Sequence, residues 1–209
     1  MNDIKRVSPV VFKSTPLKTE EQNNFEVVVE YSDEGDGPHI VDLSHRPRFD
    51  LQIPDPDLVK PFGITVPETP GSAVFENNVL VSRMNATQAS LYNIAGDYHD
   101  MPEGKEYTDI SEAAMGIALM GRDIFAVCEK LTSLDFLDPE RRPPFLFQGP
   151  FSHVPCQIVT MSKDGDRSLI ILNCSRGYSR DMIHAILHAG EEFGLRPAGK
   201  ARFENRINA

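Results

Sequence analysis

The last third of the chain contains two apolar, strand-like runs followed by an amphipathic helix, and this order constrains the fold most. The runs are VPCQIVTM (154–161) and SLIILNC (168–174), with the polar turn KDGD between them. Two such runs around a short turn predict an antiparallel hairpin. The helix is predicted from about residue 178 to residue 193, with Gly194 as its C-terminal cap. A helix that covers a hairpin indicates an α+β fold.

The size and composition of the chain are typical of a globular protein. It has 209 residues, of which 40% are hydrophobic and 25% are charged. A chain of this length buries roughly 70% of its unfolded surface. No apolar run approaches the ~20 residues that cross a bilayer, and the N-terminus has no signal-peptide core. We therefore expect no membrane association and a cytoplasmic location.

The charge of the chain argues against a nucleic-acid partner. The formal net charge is −10, whereas binding to phosphates requires a positive surface. Positive charge does gather near the C-terminus, at Arg196, Lys200, Arg202 and Arg206. Two interpretations remain open for this cluster: a solvated tail, or a surface for an anionic ligand or an acidic partner.

The chain before the hairpin divides into a polar arm and a strand-rich core. Residues 1–24 contain two prolines and no sustained periodicity, which predicts an extended arm. Residues 25–209 form the predicted core. Its first strand is FEVVVE, and a helix is predicted over residues 122–131, where apolar residues recur at helical spacing.

A weak internal repeat suggests that this core consists of two similar halves. Asp42-Leu43-Ser44 matches Asp109-Ile110-Ser111, and each triplet is followed by a short connector and a strand. Aspartate side chains often bond to backbone N–H groups in turns. We expect Asp42 and Asp109 to cap equivalent turns at the start of a strand.

Several segments resemble known families of one-carbon metabolism. The run HAGEEFGLRPAGKAR resembles the glycine-cleavage aminomethyltransferase (T-protein) family, in which a similar stretch closes a folate-binding core. The segments TDIS…GIALMGRD and LTSLDF…PP…FSHVPCQIV are more similar to the small gamma subunit of heterotetrameric sarcosine oxidase. The resemblance implies a T-protein-like α+β core of two half-repeats that lacks the C-terminal barrel domain of the T-protein family.

The departures from the T-protein motifs limit the chemistry that the resemblance implies. Where that family has paired aspartates before a strand, this chain has Asn77 and Asn78, followed by Arg83. An amide can hydrogen-bond a pterin ring but cannot accept its proton; a simple turn is the other interpretation. Arg202 and Arg206 match arginines of the family and would meet the glutamate tail of folate. The resemblance thus implies a tetrahydrofolate site and no catalytic residue.

Other constellations in the sequence are weak. His184 and His188 have the spacing of two metal ligands, but no third ligand is in register, so we expect no metal. Asp42, Ser44 and His45 could be combined into a triad, but no Gly-x-Ser-x-Gly elbow occurs. The cysteines show no Cys-x-x-Cys spacing and are expected to be buried free thiols.

The resemblance leads to one main hypothesis and two alternatives. The main hypothesis is a gamma-like subunit of an oxidoreductase that demethylates small amines such as sarcosine or dimethylamine, with flavin, haem or iron–sulfur centres on larger partner subunits. The first alternative is a stand-alone folate-dependent aminomethyl or methyl transferase. The second is a folate-binding module that only receives formaldehyde.

Overall fold

The computed structural model describes residues 4–208 and contains both helices and sheets. The strands are β1 (Pro16–Gln22), β2 (Phe25–Tyr31), β3 (His39–Asp42), β4 (Arg48–Gln52), β5 (Ala73–Glu76), β6 (Val79–Asn85), β7 (Gln88–Asn93), β8 (Tyr107–Asp109), β9 (Ala114–Met120), β10 (Phe145–Phe151), β11 (Val154–Ser162), β12 (Leu169–Ser175) and β13 (Arg196–Ala198). The helices are α1 (Ile124–Glu129), α2 (Ser179–Gly190) and α3 (Lys200–Ile207).

The described strands form three sheets. One sheet has six strands in the order β10-β11-β12-β9-β3-β13, and another has five in the order β5-β6-β7-β4-β8. The third is the hairpin of β1 and β2. The predicted hairpin of the last third is confirmed as β11 and β12, which pair antiparallel. The predicted cap Gly194 has a left-handed backbone and ends the helical segment that begins with α2.

The six-stranded sheet buries both of its faces, and its side chains alternate between them. On β9, Ile117 and Leu119 face the core shared with α1 and α2. Their neighbours Ala118 and Met120 lie in a second core, toward the five-stranded sheet. This alternation explains the near-continuous apolar runs of the sequence, because a strand covered on both faces needs no polar side.

The two matching triplets lie where the chain passes from one sheet to the other. Asp42 ends β3 of the six-stranded sheet, and its Oδ1 accepts a hydrogen bond from the Ser44 N–H at 2.8 Å. Asp109 ends β8 of the five-stranded sheet, and its Oδ1 accepts from the Ser111 N–H at 2.9 Å. The carboxylates cap turns as expected, but at the end of a strand and not at its start. The reason is that each turn redirects the chain into the other sheet.

Part of the predicted arm pairs with the core. Residues 16–22 form β1, which is antiparallel to β2. The boundary predicted at residue 24 lies in the turn of this hairpin, where Asn23 and Asn24 both have a positive φ. The sequence did not reveal β1, because its residues are mostly polar and its outer face is exposed.

The basic C-terminal segment is an ordered helix and not a solvated tail. Phe203 of α3 is buried in the core between the sheets. Lys200 of the same helix is also buried and bonds to Glu20 of β1. The burial of one aromatic ring anchors α3 to the core.

Candidate functional site

The first two predicted ligand residues form a tight hairpin turn. Asn77 and Asn78 connect β5 and β6, and their φ values are 50° and 65°. Two-residue turns of this kind favour asparagine because it tolerates a left-handed backbone. Both residues are exposed, and the Asn78 carbonyl accepts hydrogen bonds from the N–H groups of Ile94 and Ala95. The turn interpretation left open by the sequence therefore describes their geometry.

Arg83 is buried, and its guanidinium forms hydrogen bonds and an ion pair with neighbouring residues of the chain. Its Nε donates to the Asn85 carbonyl at 2.7 Å, and Nη2 donates to the Ala86 carbonyl at 2.8 Å. Its Nη1 forms an ion pair with Asp57 at 3.0 Å. These bonds connect β6 to the turn that follows it and to the loop that contains Asp57. In this structure Arg83 therefore stabilises the fold.

Arg202 and Arg206 lie together in a cleft of about 740 Å³ that we call the basic cleft. The wall of this cleft has no residue from the segment 77–83. It contains four arginines and three aspartates: Arg122, Arg167, Arg202, Arg206, Asp36, Asp123 and Asp166. The structure thus brings two of the five predicted residues together and places the other three elsewhere.

The arginines of the basic cleft differ in how far they are already paired. Asp166 accepts two hydrogen bonds from Arg122, at 2.6 and 3.0 Å. Arg206 has no carboxylate partner among residues 4–208; its Nη2 donates to the Arg167 carbonyl and its buried Nε has no partner. Burial and the nearby Arg167 charge lower the pKa of Arg206. An anion at this position would relieve the repulsion between the two guanidinium groups.

Arg202 is paired with a carboxylate behind the cleft. Its Nε donates to Oε2 of Glu34 at 2.8 Å. Burial alone would raise the pKa of Glu34, but N–H groups of Tyr31 and Gly199 and the Arg202 charge together lower it. Glu34 therefore remains ionised and links α3 to the loop between β2 and β3.

A second cavity, of about 510 Å³, has a buried arginine in its wall; we call it the Arg48 cavity. Arg48 is only 1% exposed. Its Nη1 donates to the Met115 carbonyl at 3.1 Å and its Nη2 donates to the Tyr92 hydroxyl at 2.9 Å. Its Nε has no hydrogen-bond partner. No carboxylate of residues 4–208 lies within 4.0 Å of this guanidinium.

Asn173 also lines the Arg48 cavity, and Gly116 lies against both Arg48 and Asn173. A side chain at Gly116 would collide with Arg48, with the Tyr92 hydroxyl and with Asn173. Glycine is thus required here so that three polar groups can converge. The buried Oδ1 of Asn173 has no hydrogen-bond partner, although buried polar atoms usually have one.

Two cysteines lie side by side in the wall of the same cavity. Cys156 of β11 is directly opposite Cys174 of β12. Interaction between the two thiols lowers the pKa of Cys174 and raises that of Cys156, and the positive charge of Arg48 lowers the pKa of Cys174 further. The three cysteines are buried free thiols, as predicted.

Arg48 and Asn173 were not singled out in the sequence. Arg48 alternates with Phe49 and Leu51 in a pattern that predicts an exposed position. Arg48 is buried only because the six-stranded sheet covers the polar side of β4. The sequence contains no local signal of that packing.

The other constellations weighed in the sequence do not assemble a reactive site. Asp42 and Ser44 bond to each other within a turn. Burial lowers the pKa of His45 to about 3, helped by the charges of Arg46, Lys200 and Arg48, so the ring is neutral.

The rings of His184 and His188 stack on α2. Among residues 4–208 no group of three or more His, Cys, Asp or Glu side chains is arranged to hold a metal ion, and none of the helices is long and apolar enough to span a membrane.

Comparison with known proteins identifies the fold. No family model matches the sequence, and no curated protein matches it. Among solved structures, the chain is similar to heterotetrameric sarcosine oxidase from Corynebacterium sp. U-96 in complex with pyrrole 2-carboxylate, with a TM-score of 0.63 and 13% identity over 78% of this chain and 88% of that chain. It is also similar to glycine cleavage system aminomethyltransferase T from Bartonella henselae, with a TM-score of 0.58 and 12% identity over 90% of this chain and 57% of that chain. We conclude that the chain has a T-protein-like fold of mixed α-helices and β-sheets.

Proposed function

We propose that this chain is the small, gamma-like subunit of a multisubunit oxidoreductase that oxidatively demethylates a small methylated amine of the sarcosine or dimethylamine type. In this proposal the redox centres, whether flavin, haem or iron–sulfur, belong to larger partner subunits. This chain contributes no complete active site.

The observation that carries the proposal is the extent of the structural match. The chain spans 88% of a chain of heterotetrameric sarcosine oxidase but only 57% of the aminomethyltransferase. A likeness that covers nearly a whole chain supports a comparable role more than one that covers part of a longer enzyme. At 13% identity the match itself shows only the fold.

Exposed apolar residues near the N-terminus support an interface with a partner. Ile4, Val7, Val11 and Leu17 are all well exposed. Val11 lies in a groove of about 770 Å³ between this segment and α2. Apolar side chains left exposed beside such a groove are typical of a protein interface. In our proposal the arm of residues 1–24 docks on a larger subunit, and residues 25–209 form the core.

The matching turns support the proposal that the core consists of two half-repeats. Asp42 and Ser44 make the same bonds as Asp109 and Ser111, and each pair lies at a passage between the sheets. A core of two such halves is the form that we propose for this subunit.

Tetrahydrofolate is the small ligand that we propose for the basic cleft. Arg206 and Arg167 lack carboxylate partners there among the described residues, and guanidinium groups bind carboxylates such as a glutamate tail. Asn77, Asn78 and Arg83 lie outside this cleft, and their contact with the pterin ring stays a prediction.

The proposed subunit role is tested by tagging the chain in its own host and isolating it under mild conditions. We expect it to copurify with a flavoprotein or another redox subunit, in a complex that releases formaldehyde from sarcosine or dimethylamine. A matched preparation from cells that lack the chain should give little assembled enzyme. An isolated monomer at high concentration that binds no redox subunit would contradict the proposal.

The alternative is a stand-alone folate-dependent aminomethyl or methyl transferase, which the arginines of the basic cleft would also suit. Calorimetric titration of the isolated chain with tetrahydrofolate separates the two. Tight binding together with turnover of an aminomethyl donor would favour the transferase. Binding without turnover until partners are added would indicate a folate module that only receives formaldehyde.

A further inference from the structure

We propose that the Arg48 cavity binds a small organic carboxylate with an apolar body. The cavity is separate from the basic cleft, since the two share no lining residue. The inference concerns this chain alone and stands whether or not the proposed subunit role is correct.

The first step of the argument is the unbalanced charge of Arg48. Its hydrogen-bond acceptors are the Met115 carbonyl and the Tyr92 hydroxyl, and both are neutral. Asp42 is near enough to interact electrostatically, but its oxygens accept hydrogen bonds from Ser8 and Ser44. A buried cation without a close counter-ion is costly. An anion in the adjoining cavity would reduce that cost.

The second step is that the field of Arg48 reaches the cavity wall. Arg48 and Cys174 both line the cavity, and the positive charge of Arg48 favours the thiolate form of Cys174. The same field would favour the carboxylate of a ligand at this end of the cavity. One guanidinium matches one negative charge, which favours a monocarboxylate over a phosphate dianion.

The third step is the chemistry of the remaining wall. The wall also contains apolar side chains and amides: Ile110, Ala114, Pro150, Pro155, Gln148 and Gln157. The unpaired buried oxygen of Asn173 accepts hydrogen bonds, so it does not bond the carboxylate itself. A volume of about 510 Å³ accommodates a ring-sized molecule. These surfaces fit a carboxylate joined to a compact apolar group.

The test compares benzoate with its neutral isostere benzamide. Each is titrated against the full chain, together with its partner subunits if it has them, and binding is measured by calorimetry. We expect benzoate to bind at least about tenfold more tightly, because a charge-assisted hydrogen bond to Arg48 is lost in the amide. Equal affinities for the two compounds, or no benzoate binding at millimolar concentration, would overturn the proposal.

Two variants locate the site. Arg48→Met keeps the length of the side chain and removes the charge, and should abolish the preference for benzoate. Arg142→Met removes an exposed arginine that lines neither this cavity nor the basic cleft and should leave the preference intact. If Arg48→Met does not fold, Ala114→Phe provides the test, since it fills the cavity and leaves Arg48 in place. Undiminished benzoate binding in a folded Ala114→Phe chain would place the ligand elsewhere and contradict the inference.

Alkylation of Cys174 provides a measurement that is independent of benzoate. Iodoacetate carries a carboxylate, and iodoacetamide is its neutral counterpart. We expect the iodoacetate-to-iodoacetamide rate ratio at Cys174 to be several-fold higher in the folded chain than in urea, and to fall when benzoate is present. The same ratio in both states would show that Arg48 does not recruit carboxylates to the cavity.

Discussion

Ser44 and Ser111 make the same pair of hydrogen bonds across the junction between the two sheets. The Ser44 hydroxyl bonds to the backbone N–H and C=O of Gly116, at 3.2 and 3.3 Å. The Ser111 hydroxyl bonds to the backbone N–H and C=O of Arg48, at 2.9 and 3.3 Å. The first triplet therefore holds β9, the strand that follows Ser111. The second triplet holds β4, the strand that follows Ser44. This reciprocity also fixes the backbone of Arg48, which lines the Arg48 cavity, and of Gly116, which lies against the Arg48 side chain.

Replacement of either serine by alanine should destabilise the chain by a similar amount. Ser44→Ala and Ser111→Ala each remove two hydrogen bonds from a buried site, which we expect to cost about 1–3 kcal/mol. Urea unfolding measures this loss. A clear effect from one serine and none from the other would contradict the equivalence of the two turns.

Asp109→Ala should lower stability by about 1 kcal/mol, because the Ser111 N–H loses its acceptor. Asp109→Asn serves as the control, since an amide oxygen can accept the same bond. Turnover per folded molecule of the assembled complex should be unchanged in both variants. A selective loss of turnover in a normally folded complex would show that Asp109 has a role beyond the turn.

His45 should make the chain sensitive to acid. Its folded-state pKa is lowered to about 3, whereas an unfolded histidine titrates near ~6.5. The unfolded state therefore binds more protons between these values, and stability falls as the pH drops below ~6.5. At pH 5 the loss should be about 2 kcal/mol. We expect His45→Gln, measured by urea unfolding at pH 7.5 and at pH 5, to lose less stability between them than the unmodified chain.

Arg206→Ala should weaken the binding of polyglutamylated tetrahydrofolate more than that of the monoglutamate form. Each extra tail carboxylate adds an attraction that depends on the charge of the basic cleft, and added salt should screen it. Arg180→Ala is a matched control, because Arg180 is exposed and lies outside that cleft. Equal affinities of the unmodified chain for the two folates would rule out tail binding at the cleft.

Val7→Ser together with Val11→Ser should weaken assembly with a redox subunit while leaving the fold intact. Both side chains are well exposed, so their replacement costs little stability in the free chain. Leu58→Ser is the control, because Leu58 is 75% exposed and Val11 is 77% exposed, but Leu58 lies in another part of the chain. An equal effect on copurification from Leu58→Ser would argue against an interface at the N-terminal segment.

The sequence by itself determined the elements whose pattern is local. The hairpin of β11 and β12, the helix α2, the cap at Gly194 and the two Asp-x-Ser turns follow from apolar spacing and from side chains that bond their own backbone. The fold class followed from the order of these elements, together with the resemblance of short motifs.

The tertiary structure alone decided which polar residues are buried and which arginines are free. Arg83 and Arg202 looked equally available in the sequence, yet Arg83 is enclosed by two loops and Arg202 is paired with Glu34. Arg48 alternates with apolar residues, as an exposed side chain would. It is buried because the six-stranded sheet covers it. The cost of burying a charge depends on groups distant in the chain, and local sequence patterns do not encode those contacts.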